Sequence, residues 1–514
     1  MYKKLSVFDD NEELGDNCIN SIIQRQANMD ADYNTNLISS DQEDEDLDVP
    51  KVHLSLFKII ILNMTYLGLS MMFLFLSVVV VPAQIEIIVG SQYKGIVLGI
   101  TVGIGAIFTF VIGPLVGMKS DRLVSTYGRR RPIMVISVIS LCISCIIMVA
   151  AAPSINVHVY NKNISNSTEC IRPNLVEQRC ANPNILINNK LVPLNVSYVN
   201  RLWLYIPLYL VVIISYVSTI TPYNALIADK SHPDQRGLSS GAMGGMILLG
   251  NIFGASLGLL ITSLGAVFTV CIGIVLLLVC VTITVSLTKE YETVHKPIPM
   301  SCGEKFKMFW LPLKDHDFRW LFITRFLMQQ GLTSVIGFLE YWIKDMIDLP
   351  LCWNTYKGVS YLLLPMLISA SISSVLSGIA SDKLGRRKII LTINSFIMAI
   401  MVVLMACLKG EKAYYLAIFL AIIFGVALGG YQSVDFALLM DIIPDEKDQS
   451  LMIAVWHQAM ILPQALAVPV SGVIVDLFER VNCQIGLGYI ILLLLIAVYF
   501  FLSGCFIRKI ELST

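Results

Sequence analysis

Long apolar runs alternate with short polar segments along almost the whole chain. They lie near 57–81, 95–116, 133–152, 203–221, 238–262, 266–287, 320–340, 359–379, 389–408, 413–437, 451–475 and 487–507. Each can cross a hydrocarbon core of about 30 Å as an α-helix rising about 1.5 Å per residue. The pattern predicts an all-α membrane protein with twelve transmembrane helices. An even number of crossings puts both chain ends on one side. Residues 1–50 break the pattern: they are polar and end in the acidic run from Asp41 to Asp48. Such composition predicts a disordered acidic tail. The expected organisation is that tail, a first six-helix half over 51–287, a central loop over 288–319, a second six-helix half over 320–507 and a short tail over 508–514.

The polar segments set the orientation. Between the second and third runs stands Asp121-Arg122-Leu123-Val124-Ser125-Thr126-Tyr127-Gly128-Arg129-Arg130-Arg131-Pro132, with Lys119 just before it. Loops rich in arginine and lysine stay on the cytoplasmic side. The central loop, with Lys289, Lys296, Lys305, Lys307 and Lys314, falls on that same side. The grammar returns at Ser381-Asp382-Lys383-Leu384-Gly385-Arg386-Arg387-Lys388, between the eighth and ninth runs. Asp121 and Asp382 are 261 positions apart (382 − 121), about half the chain. A second repeat agrees, with Asn224-Ala225-Leu226-Ile227-Ala228-Asp229 closing the fourth run and Phe436-Ala437-Leu438-Leu439-Met440-Asp441 the tenth. Both halves therefore read as copies of one plan. Glycines at 241, 244, 245, 250, 254 and 258 in the fifth run read as close helix packing.

Those paired loops carry a family resemblance. An acidic–basic pair followed by Gly-Arg-Arg, once in each half, resembles the signature of major facilitator superfamily transporters. The longer first copy, ending Gly-Arg-Arg-Arg-Pro, is similar to sucrose transporters and glycoside–pentoside–hexuronide symporters. Further likeness lies in Thr221-Pro222-Tyr223-Asn224, in Val434-Asp435-Phe436-Ala437-Leu438 and in Trp456-His457-Gln458 through Leu462-Pro463-Gln464. The resemblance implies two parallel six-helix repeats with a central cavity lined by spans one, four, seven and ten. It also implies a cytoplasmic latch made by Asp121, Arg122, Gly128, Arg129, Arg130, Arg131, Asp382, Gly385, Arg386 and Arg387, which steadies the outward-facing state. Two positions depart from the pattern. Thr126 replaces an arginine, and Val212-Ile213-Ile214-Ser215 lacks the acid that plant sucrose transporters carry in the fourth span.

Composition narrows the function. Of 514 residues, 56% are hydrophobic and 14% charged, against about 25% charged in soluble domains. Net charge is zero, which gives no reason to expect nucleic acid as a partner. No nucleotide loop, metal cluster or nucleophile motif appears, so neither an enzyme nor a cofactor or metal is expected. Six of the twelve cysteines, Cys142, Cys145, Cys271, Cys280, Cys407 and Cys505, lie in apolar runs as small hydrophobes. Cys170 and Cys180 instead lie in the polar loop 153–202, beside the glycosylation sequons at Asn163, Asn166 and Asn195. That loop is expected outside, where a Cys170–Cys180 disulfide can persist. Its five basic residues run against the charge bias, but long loops weigh little in that rule.

Ionisable groups inside spans are costly, and each is a functional candidate. Arg325 lies in the seventh run and Asp435 in the tenth; by the resemblance both face the cavity. They read either as a structural ion pair or as a coupling device. His457 is a proton relay or a polar interface residue, and Trp456 a stacking surface or a core residue. Gln329, Gln330, Gln432, Gln458, Gln464, Tyr223 and Asn224 are further polar groups near those depths. The resulting expectation is a monomeric proton-coupled symporter of a sugar or glycoside such as sucrose, working by alternating access. Its partners are a small solute, protons and the lipid bilayer. Its membrane is the plasma membrane or an endomembrane of the secretory or vacuolar system. A uniporter, a carrier of a non-sugar solute and a non-transporting sensor stay open on the same fold. If the 153–202 loop is external, glycosidase digestion should increase the gel mobility of the wild-type protein and leave the triple Asn163→Gln, Asn166→Gln, Asn195→Gln variant unchanged.

Overall fold

The structure is a computed structural model and describes residues 53–121, 123, 125–152, 175, 184–187, 190–193, 201–230, 235–288, 311–351, 353–408, 410, 412–442 and 449–511. Twelve long helices follow in order: α1 Leu56–Val89, α2 Lys94–Asp121, α3 Arg131–Ala151, α4 Leu202–Lys230, α5 Arg236–Leu264, α6 Ala266–Leu287, α7 His316–Met346, α8 Thr355–Leu384, α9 Arg387–Ala406, α10 Ala413–Ile442, α11 Gln449–Val481 and α12 Leu487–Ile507. Among the described residues, eleven are long and apolar enough to cross a membrane. The remaining helix, α7, is less apolar, with Arg325, Gln329 and Gln330 in its middle and Glu340, Lys344 and Asp345 towards its end. Of these, Arg325, Glu340 and Asp345 are buried against neighbouring helices rather than left to lipid. The architecture is an all-α membrane protein of twelve helices in two six-helix repeats.

Most helices outrun the apolar stretches that reveal them; α4, for example, continues from the apolar 203–221 to Lys230. A hydropathy pattern sees the part inside hydrocarbon, whereas the helix goes on into water on polar residues. Inside α1 the backbone widens into a π-helical segment, Phe75–Val80, just ahead of Pro82. Proline cannot donate to the preceding turn, and a wider turn is one way a helix absorbs that loss. The long loop 153–202 contains one element that its polar composition did not foretell. Asn184–Ile187 (β1) pairs antiparallel with Lys190–Pro193 (β2), with Asn184 opposite Pro193. The sequons, Cys170, Cys180, the acidic tail 1–50 and most of the central loop lie outside the described residues.

Residues 55–229 and 236–514 make one compact unit. A second unit comprises residues 1–54 and 230–235. In it the Gln235 side chain accepts from Leu54 N (2.8 Å) and donates to Leu54 O (2.9 Å). In the main unit α1 packs on α5 and α6, while α8 packs on α10 and α9 on α12. Two broad contacts join the halves, α2 with α11 and α5 with α8, and the later part of α1 also meets α7.

Both joints are confined to the ends near the start of α2 and the start of α8. A Cβ on Gly95 would meet Asp476 and the Gly472 carbonyl at 2.5 and 2.8 Å, and one on Gly99 would meet Pro469 Cα at 2.7 Å. Farther along α2, Gly113 and Gly117 face only α4, through Val217 and Thr221. The fifth-span glycines divide the same way. Gly250 and Gly254 touch the α1 backbone and Gly258 touches Ser360 on α8, but Gly241, Gly244 and Gly245 face open space. Gly378, near the other end of α8, is equally open. The expectation that the whole glycine row packs is therefore corrected for its first three members. The bundle is closed at one end and parted at the other. Gly254→Ala should cost about 1–3 kcal/mol by overpacking, because its Cβ would sit 2.5 Å from Met71 O. Gly244→Ala should leave stability unchanged or raise it by at most about 1 kcal/mol. Thermal unfolding of the two variants in detergent separates these outcomes.

Candidate functional site

At the open end, the two signature loops have one geometry. Gly128 and Gly385 both take positive φ, 93° and 61°, which a side chain rarely tolerates. Two residues after each glycine stands an arginine that reaches a carboxylate closing a helix. Arg130 Nε lies 3.3 Å from Asp229 Oδ2, and Arg129 reaches the same oxygen at 2.9 Å. In the second half Arg387 lies 3.0 Å from Asp441 and also donates to Ala437 O. Asp229 and Asp441 are the last residues of the second sequence repeat, so one repeat supplies the partners of the other. These pairs tie helices within a half. Partly exposed pairs of this kind contribute up to about 1 kcal/mol each. Arg386 is exposed and Arg131 partly buried. The side chains of Asp121 and Asp382, and the whole of Arg122, lie outside the described residues.

Deep in the second half, α7, α10 and α11 converge. Arg325 is nine residues, about 14 Å, into α7, and its Nη1 lies 3.0 Å from Asp435 Oδ2 on α10. Asp435 is fully buried and Arg325 is 5% exposed. The guanidinium also covers the Trp456 ring at 4.8 Å and donates to Met460 Sδ at 3.4 Å. Phe436 meets that same indole edge-on. With both neighbours in place, Trp456 is committed to packing. Neither Asp435 oxygen makes a directed hydrogen bond, and Trp456 Nε1 and Tyr431 Oη also lack a partner. In low dielectric such groups carry unmet hydrogen-bonding capacity.

The other candidates are scattered. His457 lies beside Trp456, with ring centroids 5.2 Å apart, and is exposed. Gln329 donates to Thr333 one turn on, and Gln330, in its satisfied orientation, bridges Pro463 O and Ala467 N on α11. Gln432, Gln458 and Gln464 are partly buried. In the first half Tyr223 donates to Leu62 O at 2.8 Å, a tie between α4 and α1. Asn224 beside it is exposed and accepts from Tyr66.

The closed end holds a charged cluster that sequence reasoning passed over. Lys94 at the start of α2 contacts Glu86 on α1 (2.8 Å) and Asp345 on α7 (2.6 Å). Lys344 holds the other Glu86 oxygen at 2.6 Å. Tyr489 on α12 donates to Asp345, and Asp476 on α11 accepts from the N–H groups of Gly95 and Ile96. Lys94, Glu86, Asp345 and Asp476 are all buried. In sequence these residues flank short connections, where charge is ordinarily solvated. The signal that could have found them is the density of charge at the end of the seventh apolar run, with Glu340 and Lys344 one turn apart on one face. Cys483, in the turn between α11 and α12, is disulfide-bonded, a pairing that attention to Cys170 and Cys180 missed.

Removing one member of a buried ion pair strands the other and costs about 3–5 kcal/mol. Arg325→Met should therefore lower thermal stability more than Arg325→Met combined with Asp435→Asn. Additive losses across that double-mutant cycle would show that the two charges are not coupled.

Residues 355–509, from α8 to just past α12, match the family model described as Major Facilitator Superfamily. No curated protein matches the sequence. Among solved structures, a D-xylose-proton symporter is 14% identical with a TM-score of 0.62, over 89% of this chain and 98% of that one. The nucleoside transporter NupG is 13% identical with a TM-score of 0.58, over 90% and 100%. A bacterial homolog of the human lysosomal transporter Spinster, inward-facing and unoccupied, is 14% identical with a TM-score of 0.57, over 89% and 98%. At such identity the likeness is one of fold. With α8–α12 matched by the family's own model and the bundle matched along nearly its whole length, the chain is a multi-pass membrane protein with the major facilitator fold.

Proposed function

We propose that the protein is a secondary transporter of a sugar or glycoside, driven by protons and working by alternating access. One observation carries the reading: the two halves are sealed by buried charges at one end and parted at the other. The arginine-rich loops mark the parted end as cytoplasmic, which makes this conformation inward-facing. An oxidised Cys483 suits the sealed end facing outward. Asp435 is the candidate proton acceptor, since the fourth span offers no acid. Protonating it removes the charge that holds Arg325, freeing the guanidinium to rearrange α7 against α10 and α11. Gln329, Gln432 and Asn224, on helices that the family resemblance assigns to the cavity, suit a solute rich in hydroxyl groups.

A non-sugar solute is the second reading, favoured by the fold match to a nucleoside transporter, with a TM-score of 0.58 against 0.62 for the xylose symporter. Uptake over a panel of sugars, polyols, glycosides and nucleosides, with and without an inward pH gradient, separates the two. Asp435→Asn should abolish accumulation driven by the gradient while sparing part of solute exchange at equal pH. Full gradient-driven accumulation by that variant would remove Asp435 from the coupling step.

A further inference from the structure

The cluster at the closed end contains one acid more than its cations can serve. Asp476 is held apart by the Gly95 and Ile96 N–H groups, with Arg480 among its nearby charges; of the rest, Glu86, Glu340 and Asp345 are the carboxylates, and Lys94 and Lys344 the ammonium groups. Lys94 binds Glu86 and Asp345, while Lys344 binds the second oxygen of Glu86. Glu340 is left over. It is 3% exposed, and its Oε2 meets no hydrogen-bond donor. The groups facing it are Glu86 from α1, Lys94 from α2, Lys344 and Asp345 from its own helix, and the phenols of Tyr341 on α7 and Tyr356 on α8. Ionised, it would leave a buried cluster with net charge −1 and an oxygen bonded to nothing, which low-dielectric surroundings do not support. With one proton on Glu340 the cluster is neutral.

We infer that Glu340 is a proton-binding site of the outer gate, occupied when the gate is closed and emptied to the external solution when it opens. The inference rests on the alternating-access reading above. Closing draws Glu86 and Lys94 of the first half against Lys344 and Asp345 of the second, which removes water from Glu340 and requires its carboxylate to take up one external proton. Opening rehydrates all five groups, and the carboxyl returns that proton to the same side. Asp435 lies elsewhere in the second half and is not involved. A conformational change that takes up one proton shifts about tenfold in equilibrium constant per pH unit across its titration range. External acid therefore favours the closed outer gate.

The test places spin labels by non-cysteine chemistry at Gln92 and Leu351, exposed positions flanking the gate on the two halves. Inter-label distances are then read in the full-length protein across external pH. The wild-type protein should show a short and a long distance, with the long fraction falling up to tenfold per unit of acidification. Glu340→Gln, which copies the protonated form in shape, should hold the short distance at every pH. Glu340→Asp should keep a pH response. A Glu340→Gln protein that follows the wild-type curve overturns the assignment. Two populations that respond to solute but not to pH overturn it too, leaving alternating access intact. A single distance under all conditions overturns both.

Discussion

A charge in hydrocarbon must meet its opposite, and the ionic contacts of this chain obey that constraint at three depths. The helix ends of the open side pair Arg130 with Asp229 and Arg387 with Asp441. The middle of the second half pairs Arg325 with Asp435. The closed side knots Glu86, Lys94, Lys344 and Asp345 together. Apolar packing supplies most of the buried area, but it is nearly indifferent to which helix touches which, because lipid is as apolar as leucine. Charges and close glycine contacts carry the selectivity instead.

The three depths differ in what they join. The outermost pairs on the open side lie within a half and so can survive any movement between halves. The Arg325–Asp435 pair also lies within one half, where α7, α10 and α11 meet. Among the described residues, the closed-side cluster is the ionic contact that runs from one half to the other, from Glu86 and Lys94 to Lys344 and Asp345. Gly95, Gly99 and Gly472 reinforce it by letting α2 and α11 approach at backbone distance. The open end lacks any such reinforcement, with Gly241, Gly244, Gly245 and Gly378 all uncovered.

Asymmetry between the halves is superimposed on their common plan. Both carry the turn glycine, the arginine two residues later and the aspartate at a helix end. Among the described residues, only the second half carries a buried ion pair at mid-depth. Its counterpart region in the first half, around Tyr66, Tyr223 and Asn224, is uncharged and tied by hydroxyl and amide hydrogen bonds. The second half thus holds a buried charge pair at mid-depth where the first presents uncharged polar groups.

Number of crossings, their order and their twofold repetition were all legible in the sequence, because hydrocarbon thickness acts on local composition. The Arg325 and Asp435 positions were legible for the same reason, since a charge inside an apolar run stands out. What composition cannot express is distance between segments far apart in the chain. Lys94 and Asp345 are 251 positions apart and both border short loops, so each looked like an ordinary solvated end residue. Glu340 looked the same, and nothing local reveals that α1, α2 and α8 close over it. The glycine row of α5 reads as uniform packing, and only the relative tilt of the halves decides that one end is covered and the other bare. Pairing, burial and the choice of closed end are properties of the assembled bundle, fixed by which charges find partners once the helices have come together.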